Sequence, residues 1–121
     1  MANKVIRNQI KNTVPTFTPV TFTNGWANYY SGTEYGPVGY YKDAMGIVHL
    51  RGLAASGTIG QNMFTLPAGF RPSAGTLIFT IISNTNTSAA RVDIRSDGTV
   101  AAVSGGNAWI VLSGISFVAR Q

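Results

Sequence analysis

The hydrophobic and polar positions of this chain alternate in short runs, and no window shows the 3.6-residue period of a helix. The clearest segment extends from Pro37 to Leu53, where two runs of β-branched and aromatic residues flank Asp43-Ala44-Met45-Gly46. Asp readily starts a turn and Gly accepts a positive φ, so the segment predicts a β-hairpin. On its second limb Val48 and Leu50 point to one face while His49 points to the other.

The rest of the chain continues this pattern, with turn signals roughly every 8 to 12 residues. Leu77 to Ser83 predicts a strongly apolar strand. Ala90 to Arg95 predicts a strand with Val92 and Ile94 inward and with Asp93 and both arginines outward. Ala54 to Gly60 is rich in small residues and is interpreted as a loop. About eight or nine short strands without a helix indicate an all-β protein, specifically a single antiparallel β-sandwich of jelly-roll-like form.

The first sixteen residues fit neither period and are rich in Asn and basic side chains. They end at Val14-Pro15, and the residue before a proline favours extended backbone. The sequence therefore predicts two parts: an extended basic arm over residues 1 to 16 and a β-sandwich knob over residues 17 to 121.

Six aromatic residues fall between positions 26 and 41. One interpretation is that they pack the edge of the sandwich, since aromatic residues are common in strands. The other is a recognition surface, because exposed Tyr and Trp faces stack on sugar rings while nearby amides bind hydroxyl groups. The candidates for a glycan-binding or interface surface are Trp26, Asn28, Tyr29, Tyr30 and Tyr35.

The amino-acid composition favours an oligomer. Apolar residues make up 45% of the chain and charged residues only 11%, against roughly 25% charged residues in an ordinary soluble domain. Interface cores are depleted of charge and enriched in Tyr and Trp. We therefore expect part of the surface to be covered by other subunits.

Charge is unevenly placed along the sequence. The net charge is +5, but Lys4, Arg7 and Lys11 fall in the predicted arm, and without them six basic residues face four acidic ones. The basic character therefore belongs mainly to the arm, which predicts that these three residues anchor the protein to an acidic surface.

The residue inventory argues against catalysis and cofactors. Cysteine is absent, His49 is the sole histidine and there are four acids, so thiolate chemistry is excluded and neither a zinc site nor a paired-carboxylate hydrolase is indicated. We expect no enzyme, metal or cofactor. A basic arm with aromatic residues also fits a barrel that binds single-stranded nucleic acid, but the two features lie in separate segments, so this is the more distant alternative.

Three runs of the sequence resemble a known family in combination. The runs are Gly39-Tyr40-Tyr41-Lys42-Asp43, Gly46-Ile47-Val48-His49-Leu50-Arg51-Gly52-Leu53 and Phe64-Thr65-Leu66-Pro67-Ala68-Gly69-Phe70-Arg71-Pro72. Together they resemble β-sandwich knob modules of tailed-bacteriophage structural proteins. This resemblance implies a homotrimer in the virion, either a capsid decoration protein or a tail-fibre tip.

Two virion roles follow from the resemblance. The favoured one is a capsid decoration or cement protein whose arm grips the major capsid protein, since about twenty residues before Trp26 suffice for an arm but not for a fibre shaft. The alternative is a tail-fibre or receptor-binding tip that joins other tail proteins and recognises a host surface glycan or protein. With neither a signal peptide nor a membrane helix in the sequence, we expect synthesis in the host cytoplasm.

Overall fold

Eleven strands and one 3₁₀ turn, Tyr29–Gly32, make up the regular structure of residues 16–84 and 88–119, the parts of the chain that the computed structural model describes. Within those residues no helix is long and apolar enough to span a membrane. In chain order the strands are β1 (Thr18–Pro19), β2 (Ala27–Asn28), β3 (Gly39–Lys42), β4 (Ile47–Arg51), β5 (Leu53–Ala55), β6 (Asn62–Thr65), β7 (Thr76–Ile82), β8 (Ala89–Arg95), β9 (Thr99–Ser104), β10 (Ile110–Val111) and β11 (Ser116–Val118).

The strands form three antiparallel sheets. One four-stranded sheet has the order β1-β3-β4-β11 and another has the order β6-β9-β8-β7. A smaller sheet has the order β10-β5-β2, and an isolated bridge between Ser83 and Ile110 links it to the end of β7. The predicted all-β fold with antiparallel sheets is confirmed, and it is consistent with a β-sandwich.

The central hairpin forms where the sequence predicts it. Strand β3 pairs with β4, and the turn closes through backbone hydrogen bonds from Asp43 N to Ile47 O, 2.9 Å, and from Gly46 N to Asp43 O, 3.0 Å. The Asp43 carboxylate also accepts the backbone N–H groups of Met45 and Ile47 at 2.9 and 3.0 Å. This is the local reason for an aspartate at the start of the turn.

The core is one cluster of buried side chains that come from both larger sheets, from β5 and β10 of the smaller sheet and from residues that flank the strands. Val48 and Leu50 are buried, whereas His49 between them is only half-buried, as the alternation predicts. The largest fully buried side chains are Phe64, Met63, Leu66, Ile94, Ile110, Leu112, Val38, Val48, Val92 and Val100.

The predicted loop from Ala54 to Gly60 is wrong at its start. Residues Leu53–Ala55 form β5, which pairs with β2 on one side and β10 on the other. Gly52, with φ +99°, separates β4 from β5. Alanine has weak strand propensity, so the strand gives no local signal; burial of Ala54 and Ala55 in the tertiary structure decides it.

Asp93 does not extend into solvent as the alternation of β8 predicts, because only 4% of it is exposed. The guanidinium of Arg91 lies against it, with Nε 2.8 Å from Oδ1 and Nη2 3.0 Å from Oδ2. This two-point ion pair supplies partners for the carboxylate that burial requires.

The apolar strand β7 lies at the edge of its sheet rather than in the middle. Its side chains alternate between half-buried and exposed, and Ile78 and Ile82 are 58% and 44% exposed. No charged residue or proline interrupts Thr76–Ile82, although natural edge strands are commonly protected by such residues.

The predicted arm, residues 1 to 16, lies outside the described residues except for Thr16. The anchoring role of Lys4, Arg7 and Lys11 therefore stays a prediction.

Candidate binding surface

Trp26, the first residue of the aromatic stretch, lies in the core. Only 4% of it is exposed, and its ring lies directly over Gly57, where any Cβ would overlap the indole. The proposed surface therefore loses this member: a side chain in the core cannot stack on a sugar ring.

Asn28 has a structural task in the loop that follows. Its Oδ1 accepts the backbone N–H of Val38 at 2.8 Å, and the side chain is half-buried. The bond joins the two ends of the segment that carries the tyrosines. Asn28 positions this segment through an amide oxygen that already accepts one hydrogen bond.

The backbone between these ends makes a left-handed turn. Tyr30 and Ser31 have φ values of 52° and 53°, and Gly32 continues the turn at 76°. The turn is closed by Thr33, whose N–H and hydroxyl donate to Tyr30 O at 3.0 and 2.8 Å. A Cβ at Gly32 would lie 2.9 Å from Pro37 Cα, so the turn fits tightly against the chain.

Two successive non-glycine residues at positive φ are uncommon, because each side chain there crowds its own backbone. Such strain persists only where the surrounding structure imposes it, and it is often found at binding sites. Here the strained residue Tyr30 is also the most exposed tyrosine, at 60%. The turn thus directs a large aromatic ring into solvent.

Four aromatic rings meet at this turn and form what we call the tyrosine patch: Tyr29, Tyr30, Tyr35 and Trp109. The ring centroid of Tyr29 lies 4.4 Å from Tyr30, 5.6 Å from Tyr35 and 6.5 Å from Trp109. The rings of Tyr30 and Tyr35 are nearly parallel, at 14°, with centroids 6.4 Å apart. Tyr35 is 44% exposed, so the patch presents both rings to solvent.

Trp109 is not among the residues that the sequence pattern singles out. It lies just before β10, and a loop of hydrogen bonds holds that region against the segment after β5: Asn107 Nδ2 donates to Gly57 O at 2.9 Å, and Ser56 N donates to Asn107 O at 2.8 Å. Its separation of eighty positions from Tyr29 leaves no local signal that the two rings meet.

The phenol groups of the patch interact electrostatically. The pKa of Tyr29 is raised above its ordinary value, chiefly by a hydrogen bond with Tyr30 and further by partial desolvation and by neighbouring charges that include Glu34. The patch therefore combines apolar ring faces with hydroxyl groups, and the charge of Glu34 acts on it from beside Tyr35. That combination suits recognition of a polar ligand with an apolar side.

A second group of aromatic residues covers the outer face of β3 and β4. Tyr41 stacks on His49 with centroids 4.9 Å apart and contacts Phe17 edge-on at 4.8 Å, while the Arg51 guanidinium lies 4.3 Å from the centre of the Phe17 ring. His49 Nε2 is 2.9 Å from Asp43 Oδ2. That bond is the largest cause of the lowered pKa of Asp43, followed by the backbone N–H of Ile47.

Within residues 16–84 and 88–119, no three His, Asp or Glu side chains are grouped as metal ligands would be. Of the predicted surface residues, the structure brings together Tyr29, Tyr30 and Tyr35. It bonds Asn28 to Val38 at the ends of their segment and buries Trp26 in the core.

Comparison with solved structures finds a similar fold in a phage protein. The chain is similar to the receptor binding protein (gp15) of Listeria phage PSA, with a TM-score of 0.72 and 18% identity over 99% of this chain and 76% of that one. The two chains share a fold. No protein-family model and no curated protein matches the sequence.

Proposed function

We propose that the protein is a bacteriophage virion protein that binds the host surface at the tail tip, with the tyrosine patch as its binding surface. The observation that carries the proposal is the fold shared with a phage receptor binding protein over nearly the whole chain. The sequence resemblance to phage knob modules agrees with it. The exposed patch on a strained turn supplies a surface for the activity.

The sequence by itself favours capsid decoration over a tail tip. That preference depends on the interpretation of residues 1 to 16 as an arm and not a fibre shaft, and all of them except Thr16 lie outside the described residues. The solved structure with the similar fold is that of a phage receptor binding protein. We therefore propose the tail tip in place of decoration.

We propose binding, not catalysis, as the activity of the patch. Tyr30 and Tyr35 offer ring faces on which the apolar face of a sugar can stack, and each ring brings a hydroxyl group. The ligand class is a carbohydrate-bearing polymer of the bacterial surface. Stacking on sugar rings needs exposed aromatic faces, and these two side chains meet that requirement.

We also propose the homotrimer that the sequence resemblance implies. The exposed Ile78 and Ile82 lie on an edge strand that contains no charged residue, and such a strand is expected to be covered in a functional assembly. Light scattering on the purified protein tests this, with Ile78→Lys expected to reduce the trimer to smaller species. Met45→Lys, at an 83% exposed turn position, is the matched control.

Two experiments test the tail-tip proposal. Antibody-labelled electron microscopy of the particle should show label at the tail tip; label spread over the capsid would overturn it. In a binding assay with purified bacterial cell walls from a panel of strains, Tyr30→Ala and Tyr35→Ala should abolish binding while Met45→Ala retains it. Wall binding that survives both tyrosine substitutions would remove the patch from the mechanism.

A further inference from the structure

Glu34 differs from the other acidic residues of the chain because its carboxylate has no partner among the described residues. Asp43 binds His49 and two backbone N–H groups, Asp93 binds Arg91, and Asp97 accepts from the N–H and hydroxyl of Thr99. Glu34 is exposed, and among residues 16–84 and 88–119 nothing donates a hydrogen bond or forms an ion pair with it.

The place of this free carboxylate is next to the tyrosine patch. Glu34 immediately precedes Tyr35, and its charge is among those that raise the pKa of Tyr29. The basic side chain that lies against the same loop is that of Arg51, which is next to Gly36. Its guanidinium is held over the Phe17 ring, 4.3 Å from the centroid, and its Nε donates to Pro37 O at 3.3 Å, so it leaves Glu34 unneutralised.

Aromatic faces and a carboxylate attract the same kind of ligand. The face of a tyrosine ring carries negative electrostatic potential and draws an ammonium group positioned within about 6 Å of its centre. An exposed carboxylate adds a Coulombic attraction of the same sign. A neutral sugar can stack on the rings but gains nothing from the negative charge of the carboxylate. An anionic group is repelled by that charge.

We propose that the tyrosine patch and Glu34 together bind a positively charged amine, a primary or quaternary ammonium group, carried by the surface polymer of the host. The inference rests on the proposed receptor-binding function and narrows its ligand. Tyr30 and Tyr35 supply the ring faces and Glu34 supplies the opposite charge. Neutral sugar units of the same polymer stack on the remaining ring surface.

The test uses the whole protein and two small probes, choline chloride as the cation and methyl glucoside as the neutral sugar. Tyrosine ring resonances are followed by NMR during each titration, with sodium chloride at matched ionic strength as the blank. Choline should shift the resonances of the patch saturably, and sodium chloride should not. Absence of a saturable choline shift overturns the inference.

Charge dependence is tested with Glu34→Gln, which keeps the shape of the side chain. Choline should bind two- to fivefold more weakly, as expected for losing about 0.4 to 1 kcal/mol of an exposed ion pair, while methyl glucoside binding stays the same. The matched control is Asp97→Asn, which removes one exposed charge in the β8–β9 turn and keeps an oxygen for Thr99. Equal effects of both variants on choline would mean net charge alone is responsible and would overturn the inference.

The ring contribution is tested with Tyr35→Leu, which keeps an apolar side chain but removes the aromatic face. Choline binding should fall further than in Glu34→Gln; unchanged choline binding contradicts the inference. The cell-wall binding assay distinguishes the proposed receptor-binding function from the proposed cationic ligand. If walls still bind through Tyr30 and Tyr35 but Glu34→Gln has no effect on either choline or walls, the receptor-binding function stands and the cationic ligand is wrong.

Discussion

Trp26 and Tyr30 lie four positions apart in the same aromatic stretch, yet one is 4% exposed and the other 60%. The difference is not in their chemistry, since both are large rings with one polar group. It lies in what surrounds them. Trp26 lies against a glycine from a distant loop, whereas Tyr30 is carried outward by a left-handed turn.

The buried position of Trp26 depends on a local turn and on a residue that is distant in the sequence. Asn24 and Gly25 form the turn before Trp26, with φ values of 58° and 80°, and Trp26 N donates to Thr23 O at 3.2 Å. Gly57 then provides the space for the indole. The ring of Trp26 is buried because a small residue from elsewhere in the chain makes room for it, whereas the ring of Tyr30 lies beside Tyr29 and Tyr35 of its own segment and stays exposed.

The largest expected effect comes from changing the buried ring of Trp26. Trp26→Ala should lower the free energy of unfolding by about 3 to 5 kcal/mol, because it empties a core position. The indole Nε1 has no hydrogen-bond partner among the described residues, so Trp26→Phe gives up area but removes an unpaired donor. We expect Trp26→Phe to lower the free energy of unfolding, measured by chemical denaturation, much less than Trp26→Ala does. Equal losses in the two variants would contradict this expectation.

The next effect tests the glycine that faces the indole. Gly57→Ala places a methyl group in the space of the ring and should destabilise the protein by about 1 to 3 kcal/mol. A double-mutant cycle identifies the cause: in the Trp26→Ala background the same substitution should cost little. An unchanged cost in that background would point to the backbone of Gly57 instead.

A smaller effect concerns the turn that exposes the tyrosines. Ser31→Gly should stabilise the protein by up to about 1 kcal/mol, because glycine takes φ of 53° without strain. The gain is partly offset by the greater freedom of glycine in the unfolded chain. Thermal unfolding beside Ser31→Ala, which keeps the strain, measures it; a loss of stability in the glycine variant relative to the alanine variant would show that the turn is unstrained.

For the exposed ring of Tyr30 we predict loss of binding without loss of stability. Tyr30→Ala should change the free energy of unfolding by less than about 0.5 kcal/mol, the range of surface substitutions, while wall binding falls. Circular dichroism melts beside the wall-binding assay measure both. A large drop in melting temperature would mean that the ring is structural, as Trp26 is.

Tyr41 stands between the two extremes, since it is half-buried and stacks on His49, which Asp43 holds. The pKa of Asp43 is below its ordinary value of 3.8. A carboxylate with a lowered folded-state pKa stabilises the fold above the unfolded value and loses that contribution as the pH falls through the folded value.

The smallest predicted effect is therefore an acid-dependent one. Melting temperature should fall as the pH drops below about 4, and this fall should be smaller in Asp43→Asn. The pKa of Asp97 is lowered too, mainly by the N–H and hydroxyl of Thr99, so Asp97→Asn serves as the comparison variant. An acid profile of Asp43→Asn identical to that of the unchanged protein would remove the Asp43–His49 pair as a source of stability.

The sequence by itself determined the features that depend on near neighbours. Alternation and turn residues predicted the hairpin of β3 and β4, the inward Val92 and Ile94, and the all-β class, because strand period and turn chemistry act over a few residues. The tyrosines were also named as candidates for a binding or interface surface, because aromatic faces can stack on sugar rings, with packing at the edge of the sandwich as the other interpretation. None of these predictions required knowing which strands meet.

Tertiary structure alone decided the rest. It buried Trp26 on Gly57, brought Trp109 to Tyr29, covered Asp93 with Arg91 and made a strand of Leu53–Ala55. Whether a ring is buried depends on the volume that distant segments leave for it, and interior packing is dense enough that one methyl group changes the outcome. That volume is a property of the folded chain as a whole, so no window of the sequence contains it.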